Sequence, residues 1–288
     1  MKLVNDRCGR APTLADMLDA ERSIMEAHYE RGLEADRLVI DGPGMLEFAR
    51  TTEIIDRRLP PAPAVVADIG GGPGRYTAWL AGRGYRVEHR DLMPLHVEQA
   101  RASINGSPLV HAEVGDALDL DLADASVDAV LLLGPIYHLR RRADRLGALR
   151  EARRIVRPGG PVFVAAISRW APRIDGVLRQ RLYDVYPEFK DVVAKVERVG
   201  WAPPLHQGSF TAYCHRPGPL RAEVRAAGLQ VADLVSVEGA GFMLSDLAER
   251  LADPADREVV LDTMRATERV PELLGLGPHL LVTAVRRE

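Results

Sequence analysis

Residues 65–74 read VVADIGGGPG. A short run of β-branched and apolar residues reaches Asp68 and Ile69 and then enters four glycines within five positions. Such a run reads as a buried strand, and glycines directly after a strand mark a chain that turns sharply or is approached closely. In an α/β sheet that place is the carboxyl end of a strand, where ligands sit against the N-terminus of the next helix.

Working outward, strand patterns recur at 85–90, 108–113, 127–133 and 161–167, with helical patterns between them at 75–82, 94–104 and 143–156. The last helix is stopped by RPGG at 157–160. This alternation predicts an α/β, doubly wound parallel sheet. Before it, residues 14–37 read as helix. A second helical stretch from 44 to 58 ends at Pro60, Pro61 and Pro63, a stiff linker into the first strand. Residues 1–60 therefore read as an N-terminal helical lid segment and 61–288 as the main domain.

After Ser168 the alternation lapses until about 216, then resumes with a helix at 219–227, a strand at 229–237, helical stretches around 244–269 and a last strand at 279–286. The insertion holds Trp170, Tyr183, Tyr186, Phe189, Trp201, Phe210 and Tyr213, seven of the chain's fifteen aromatics. Aromatics favour ligand-facing surfaces, which makes 168–216 a candidate cap over a site; packing of the insertion onto the sheet is the alternative.

Composition excludes several classes. The chain is 47% hydrophobic and 27% charged with a net charge of −3, ordinary for a globular protein and no signature of a polyanion binder. The basic cluster Arg140, Arg141, Arg142 and Arg145 reads as a solvated helix face. Cys8 and Cys214 are far apart and lack ligand spacing, so neither a disulfide framework nor a metal site is indicated. No signal segment or apolar span stands out, and a cytoplasmic protein is expected.

The glycine loop discriminates among nucleotides. A P-loop requires a lysine that reaches the phosphates, and none is near. The dinucleotide fingerprint requires a third glycine three residues after the second; those positions hold Arg75 or Thr77 in the two registers. What remains is Asp68 followed by Gly70, Gly72 and Gly74.

Here the chain resembles the class I S-adenosylmethionine-dependent methyltransferases, whose first motif is acidic-x-Gly-x-Gly-x-Gly. Four further segments occur in family order: YRVEHRDL ending in Asp91, VGDALDL carrying Asp116, ADASVDAVLLLGPIYHL, and ALREARRIVRPGGPVFVAA. The resemblance implies S-adenosyl-L-methionine as cofactor and a Rossmann-like sheet of seven strands with the last antiparallel. It implies cofactor contacts from Asp68, Gly70, Gly71, Gly72, Gly74, Asp91, Leu92, Asp116, Ala117 and Leu133, with Asp91 on the ribose hydroxyls and Asp116 at the adenine amino group. Each aspartate also has a plain reading: Asp68 and Asp116 as turn residues, Asp91 as a surface group. AHYERGLEADRL, MPLHVEQAR and PELLGLGPHLLVTAVRR extend the likeness to bacterial small-molecule methyltransferases, some of natural-product pathways. Met93 departs from the more usual proline or serine neighbourhood.

Methyl transfer from a sulfonium needs a nucleophile held in line and water kept out; a base is needed only where the nucleophile sheds a proton. His138, after the fourth strand, is the leading base candidate, with a structural histidine as the alternative. Tyr29 on the N-terminal helix is a candidate to orient the sulfonium or close the site; Arg37, read on the same helix, is a candidate to meet the cofactor carboxylate, with an ordinary surface arginine as the equal alternative. Tyr137, Trp170, Tyr183, His206 and Tyr213 are candidate acceptor contacts. Gly134-Pro135-Ile136-Tyr137 lacks the amide or carboxylate by which methyltransferases of DNA bases hold an exocyclic amine, which argues against nucleic acid. The expected partner is a small, aromatic secondary metabolite methylated on carbon, oxygen or nitrogen, an indole carbon among them. No membrane partner is expected, and a homodimer is compatible. A dehydrogenase and a non-catalytic cofactor-binding protein are the readings of other classes.

Overall fold

The computed structural model describes residues 23–32, 34–204 and 211–287. Helix α1 covers 23–29. It is followed by α2 (Gly42–Asp56), β1 (Val65–Ile69), α3 (Arg75–Ala81), β2 (Arg86–Asp91), α4 (Pro94–Ser103), β3 (Val110–Val114), β4 (Ala129–Leu132), α5 (Pro135–His138), α6 (Arg142–Ile155) and β5 (Pro161–Ser168). Then come a π-helical stretch (Pro172–Arg179), a 3-10 turn (Leu182–Asp184), α7 (Phe189–Val199), β6 (Trp201–Ala202), β7 (Ala212–His215), α8 (Pro217–Ala226), β8 (Leu229–Ser236), α9 (Leu247–Ala252), α10 (Pro254–Thr267) and β9 (His279–Arg286).

β1 sits at the centre, parallel to β2 on one side and to β4 on the other. β3 lies outside β2, and β5 outside β4. β9 runs antiparallel to β5 from Pro161↔Val285 to Ile167↔His279, and β8 is antiparallel to β9. These seven strands form the sheet that the sequence implies. The strand residues alternate between two cores, as a pleated strand buried on both faces must. Val66, Leu131 and Phe163 pack with α2 and α3 through Ile54, Ile55 and Leu80. Ala67, Ile69, Val130, Leu132 and Val164 pack with α6 and α8 through Leu149, Ile155, Leu220 and Val224.

Two short strands are additional. β7 pairs parallel with β5 at Ile167↔Cys214 and Ser168↔His215, and β6 is antiparallel to β7. The last paired residue of β4 is Leu132, opposite Val164, and β9 occupies the other edge of β5. Beyond Val164 the β4-side edge of β5 is open, and β7 fills it. An unpaired sheet edge leaves backbone donors and acceptors unmet, which is the reason for such a patch.

Three expectations change. The N-terminal helix ends at 29; residues 34–39 are turns and 40 a bend, so Arg37 is not on the helix of Tyr29. The insertion is not irregular: α7 buries Phe189, Val193 and Val196 at helical spacing. The basic cluster is not uniformly a solvated face, because Arg145 is buried and paired with Glu223 at 2.8 Å. Among the described residues no helix is long and apolar enough to cross a membrane.

Candidate active site

The strand order reverses between β1 and β4, the place where open α/β sheets bind ligands. A cleft of about 320 Å³ opens there, within the roughly 300–1,000 Å³ of small-molecule sites. One wall comes from strand ends: Gly70 and Gly72 after β1, Asp91 and Leu92 after β2, Asp116 and Ala117 after β3. The other comes from Met25 and Tyr29 of α1, Tyr137 and His138 of α5, and Thr211 at the start of β7.

The glycine wall is bare for two reasons. A Cβ at Gly70 would lie 2.5 Å from Pro135 Cγ, so the loops after β1 and β4 could not close together. Gly72 has φ +56, and a Cβ there would meet nothing within 4 Å. The backbone at Gly72 is thus open for a ligand to lie against.

Asp91 closes the next part of the wall. Its Oδ2 accepts from the Gly72 N–H at 2.8 Å, and its Oδ1 from the Met93 N–H at 2.9 Å and from His96 Nδ1 at 3.0 Å. Burial pushes this carboxyl up, but the bonds from His96, Met93 and Gly72 outweigh it and hold Asp91 below the usual aspartate value. It is therefore an anion aimed along the wall at neutral pH. His96 itself lines the cleft, is buried, and leaves Nε2 with no hydrogen-bond partner among the described residues. It stands five residues after Asp91, in the first turn of α4, a position from which a side chain can reach back to the strand end. Its segment carries the family likeness, but nothing in the sequence marks this imidazole.

Across the cleft, the Tyr29 hydroxyl lies 2.7 Å from His138 Nε2 although the two are 109 residues apart. Burial lowers His138 to about 4 and raises the Tyr29 and Tyr137 phenols above their ordinary value. The imidazole is neutral at working pH, and its tautomer sets which of the two groups donates across this contact. Tyr29 packs edge-on against both imidazoles of the cleft, 4.8 Å from His96 and 5.5 Å from His138 between ring centroids.

Other candidates stand elsewhere. Asp68 lies beneath the loop, accepting from the Thr77 hydroxyl at 2.7 Å, and Gly71 and Gly74 face His89 and α4 instead of the cleft. Arg37 and Leu133 line a second cavity of about 30 Å³ with Glu47, Tyr76 and His279, and Tyr137 walls both cavities. There Arg37 pairs with Glu34 at 2.6 Å and Glu47 at 2.5 Å. Glu47, Glu238 and His279 bring ligand-type atoms within 4.8 Å of one another, but the cations present are the protein's own: Arg37 on Glu47, and His279 bonded to Glu238 at 2.5 Å. Of the cap residues, Trp170 packs over Gly275, Tyr183 lies beside Arg181 and Lys190, and Tyr213 lies 3.7 Å beneath the Arg145 guanidinium. None of the three lines the cleft. His206 lies outside the described residues.

Residues 67–164 match a family model described as a methyltransferase domain. The chain is 38% identical over 108 residues to an uncharacterized methyltransferase of Mycobacterium tuberculosis, covering 38% of this chain and 42% of that protein. It is 33% identical over 123 residues to methyltransferase GfsG of Streptomyces halstedii, covering 41% and 43%. The chain thus spans less than half the length of these curated relatives. A putative methyltransferase of Haloferax volcanii, solved with the Trm112 activator, superimposes with a TM-score of 0.59 at 22% identity over 92% of this chain and 98% of that one. Geranyl diphosphate C-methyltransferase of Streptomyces coelicolor, solved with S-adenosyl-L-homocysteine, gives 0.51 at 15% identity over 84% and 80%. At these identities the likeness is one of fold. Residues 67–164 thus match a methyltransferase domain, and the sheet that carries them has the fold of solved methyltransferases.

Proposed function

We propose that this chain transfers the methyl group of S-adenosyl-L-methionine to a small, aromatic acceptor, and that an indole carbon or a phenol of a secondary metabolite is the fitting class. The observation that carries this reading is one continuous cleft in which the open glycine at Gly72 and the Asp91 and Asp116 ends of the sheet face Tyr29, Tyr137 and His138. The residues suit an adenosine-bearing group: an open backbone, an ionised carboxylate and the buried His96 Nε2, which has no hydrogen-bond partner among the described residues. When bound, the cofactor supplies an activated methyl on a sulfonium.

The chain's own residues hold the acceptor near attack and exclude water. Positioning alone supplies a large part of such a barrier reduction. We read 1–60 as a lid and 168–216 as a cap, supported by Met25 and Tyr29 from the first and Thr211 from the second at the cleft. In the His138 tautomer whose Nε2 carries the lone pair, the Tyr29 O–H donates to it, and the phenolic oxygen is then open to accept from an acceptor N–H or O–H. With His138 at about 4 and Tyr29 above its ordinary value, neither group holds a fixed charge at neutral pH. Such a pair suits a nucleophile that sheds its proton late, as an indole does when its carbon attacks and its ring N–H is relieved. Relatives include an O-methyltransferase of Penicillium expansum, 29% identical over 142 residues, so oxygen acceptors are tested beside indole carbons.

Calorimetric titration with S-adenosyl-L-methionine and, separately, NADH tests the cofactor. Micromolar binding of the first alone is expected. Incubation with indoles and phenols then yields products heavier by one methylene in mass spectrometry. Binding of NADH instead, or of neither, overturns the reading.

A further inference from the structure

Asp91 cannot receive a ribose alone. A carboxylate offers about four acceptor positions, and three on Asp91 already take the N–H groups of Gly72 and Met93 and His96 Nδ1. A vicinal diol brings two O–H donors to what is left. One donor lacks an acceptor on Asp91.

The wall holds a second acceptor. Because the ionised carboxylate only accepts, the Nδ1 that faces it carries a proton, and in that tautomer Nε2 presents the lone pair. Nε2 is buried, unpartnered among the described residues and part of a side chain that lines the cleft beside Asp91. A buried polar atom left unmet costs about 1–3 kcal/mol, so a ligand donor there relieves a standing penalty. The ring is fixed from both sides, by Asp91 and by the edge-on Tyr29 of α1. An acceptor that is already oriented loses little entropy on binding.

We propose that His96 is a cofactor-binding residue, its Nε2 accepting from one ribose hydroxyl while Asp91 accepts from the other. The inference rests on the methyltransferase reading and adds to it the residue that completes recognition of the diol. Asp91 and His96 then act as one unit, in which Nδ1 sets the tautomer and Nε2 reads the ligand. Such carboxylate–imidazole pairs fix which nitrogen presents its lone pair.

Two substitutions and one altered ligand test it. In His96→Asn the amide can keep the donor to Asp91 but has no atom at the Nε2 position, whereas His96→Ala loses both. S-adenosyl-L-homocysteine affinity, read by calorimetry without any acceptor or turnover, is expected to fall about tenfold or more in both variants. The 2′-deoxy and 3′-deoxy analogues should bind the wild type more weakly than the parent ligand. In His96→Asn one of them should lose no further affinity, because its missing hydroxyl is the one His96 accepts. Wild-type affinity in His96→Asn, or equal deoxy penalties in wild type and variant for both analogues, overturns the role of Nε2. Absence of binding by the wild type sinks the methyltransferase reading itself, a different outcome. Should His96→Asn fail to fold, ¹⁵N-histidine spectra of the wild type decide: ligand must move the Nε2 resonance more than Nδ1, and an unmoved Nε2 overturns the proposal.

Discussion

The contact between Tyr29 and His138 shows how much one residue's chemistry depends on its burial. His138 lines the cleft just beyond the exit of β4, yet burial holds it at about 4, whereas an efficient general base sits near the working pH. Under the proposed function this fixes a pH signature. The kcat/KM profile with an indole acceptor should show an acid limb with an apparent pKa near 4, not near 6.5, and no limb from this residue above it. His138→Gln should lower kcat by roughly 10–100-fold, less than the 10²–10⁴ of a well-matched base, while S-adenosyl-L-homocysteine affinity stays within twofold. Unchanged turnover in His138→Gln, or an acid limb at 6.5, removes His138 from the proton path. The identities of Asp91 and Asp116 were legible because a strand followed by an acidic residue recurs in one order. His96 was not, since only the fold shows that its Nδ1 is spent on Asp91 and its Nε2 is not.

At the level of elements, the glycines of the opening stretch divide their work between ligand and packing. Gly74 caps α3 with φ +87, and a Cβ there would stand 2.7 Å from Ala100 Cβ and 2.9 Å from Ala100 Cα on α4. Gly74→Ala must both strain the backbone and push α3 from α4, at about 1–3 kcal/mol each for strain and overpacking. Gly72→Ala bears only the backbone strain, but its methyl enters the cleft. Thermal unfolding should therefore show the larger loss in Gly74→Ala, while calorimetry shows the larger loss of cofactor affinity in Gly72→Ala. The opposite pairing would mean that the loop has its ligand side reversed. The strands and helices of the sheet could be read to within a few residues, since each carries its own apolar period. The signal for α7 was also present in FKDVVAKVERV, but Pro172, Gly176 and Pro187 before it broke the count. β7 could not be found from its four residues, because what makes it a strand is the early end of β4 on a neighbouring edge.

At the scale of the molecule, two buried histidines pull stability in opposite directions with pH. His279 sits where β9 starts, between Glu47 and Glu238; burial alone would lower it, but the two carboxylates raise it to about 9. A raised folded value means that its contribution is full below its unfolded value of about 6.5 and is lost as pH climbs through 9, at most about 3 kcal/mol. His138 does the reverse. Folded near 4, it stays neutral while the unfolded chain takes up a proton below 6.5, so stability falls as pH drops from 6.5 toward 4, again by at most about 3 kcal/mol. Burial lowers His89 and His215 in the same sense as His138, and Glu223, held at about 2 by Arg145 and His215 against its burial, adds a loss at lower pH still. Urea unfolding across pH 4–10 should then trace a dome with its maximum near 6.5. Between 6.5 and 5 its acid side belongs to the histidines, since the ordinary carboxylates have barely begun to titrate. His279→Gln should flatten the alkaline side and leave the acid side in place; His138→Gln should shallow the acid side alone. A free energy of unfolding that stays level from pH 5 to 9 would mean that neither histidine is held in the charge state its surroundings impose, and the linkage of the N-terminal segment to the last strand through Arg37, Glu47 and His279 would lose its electrostatic account.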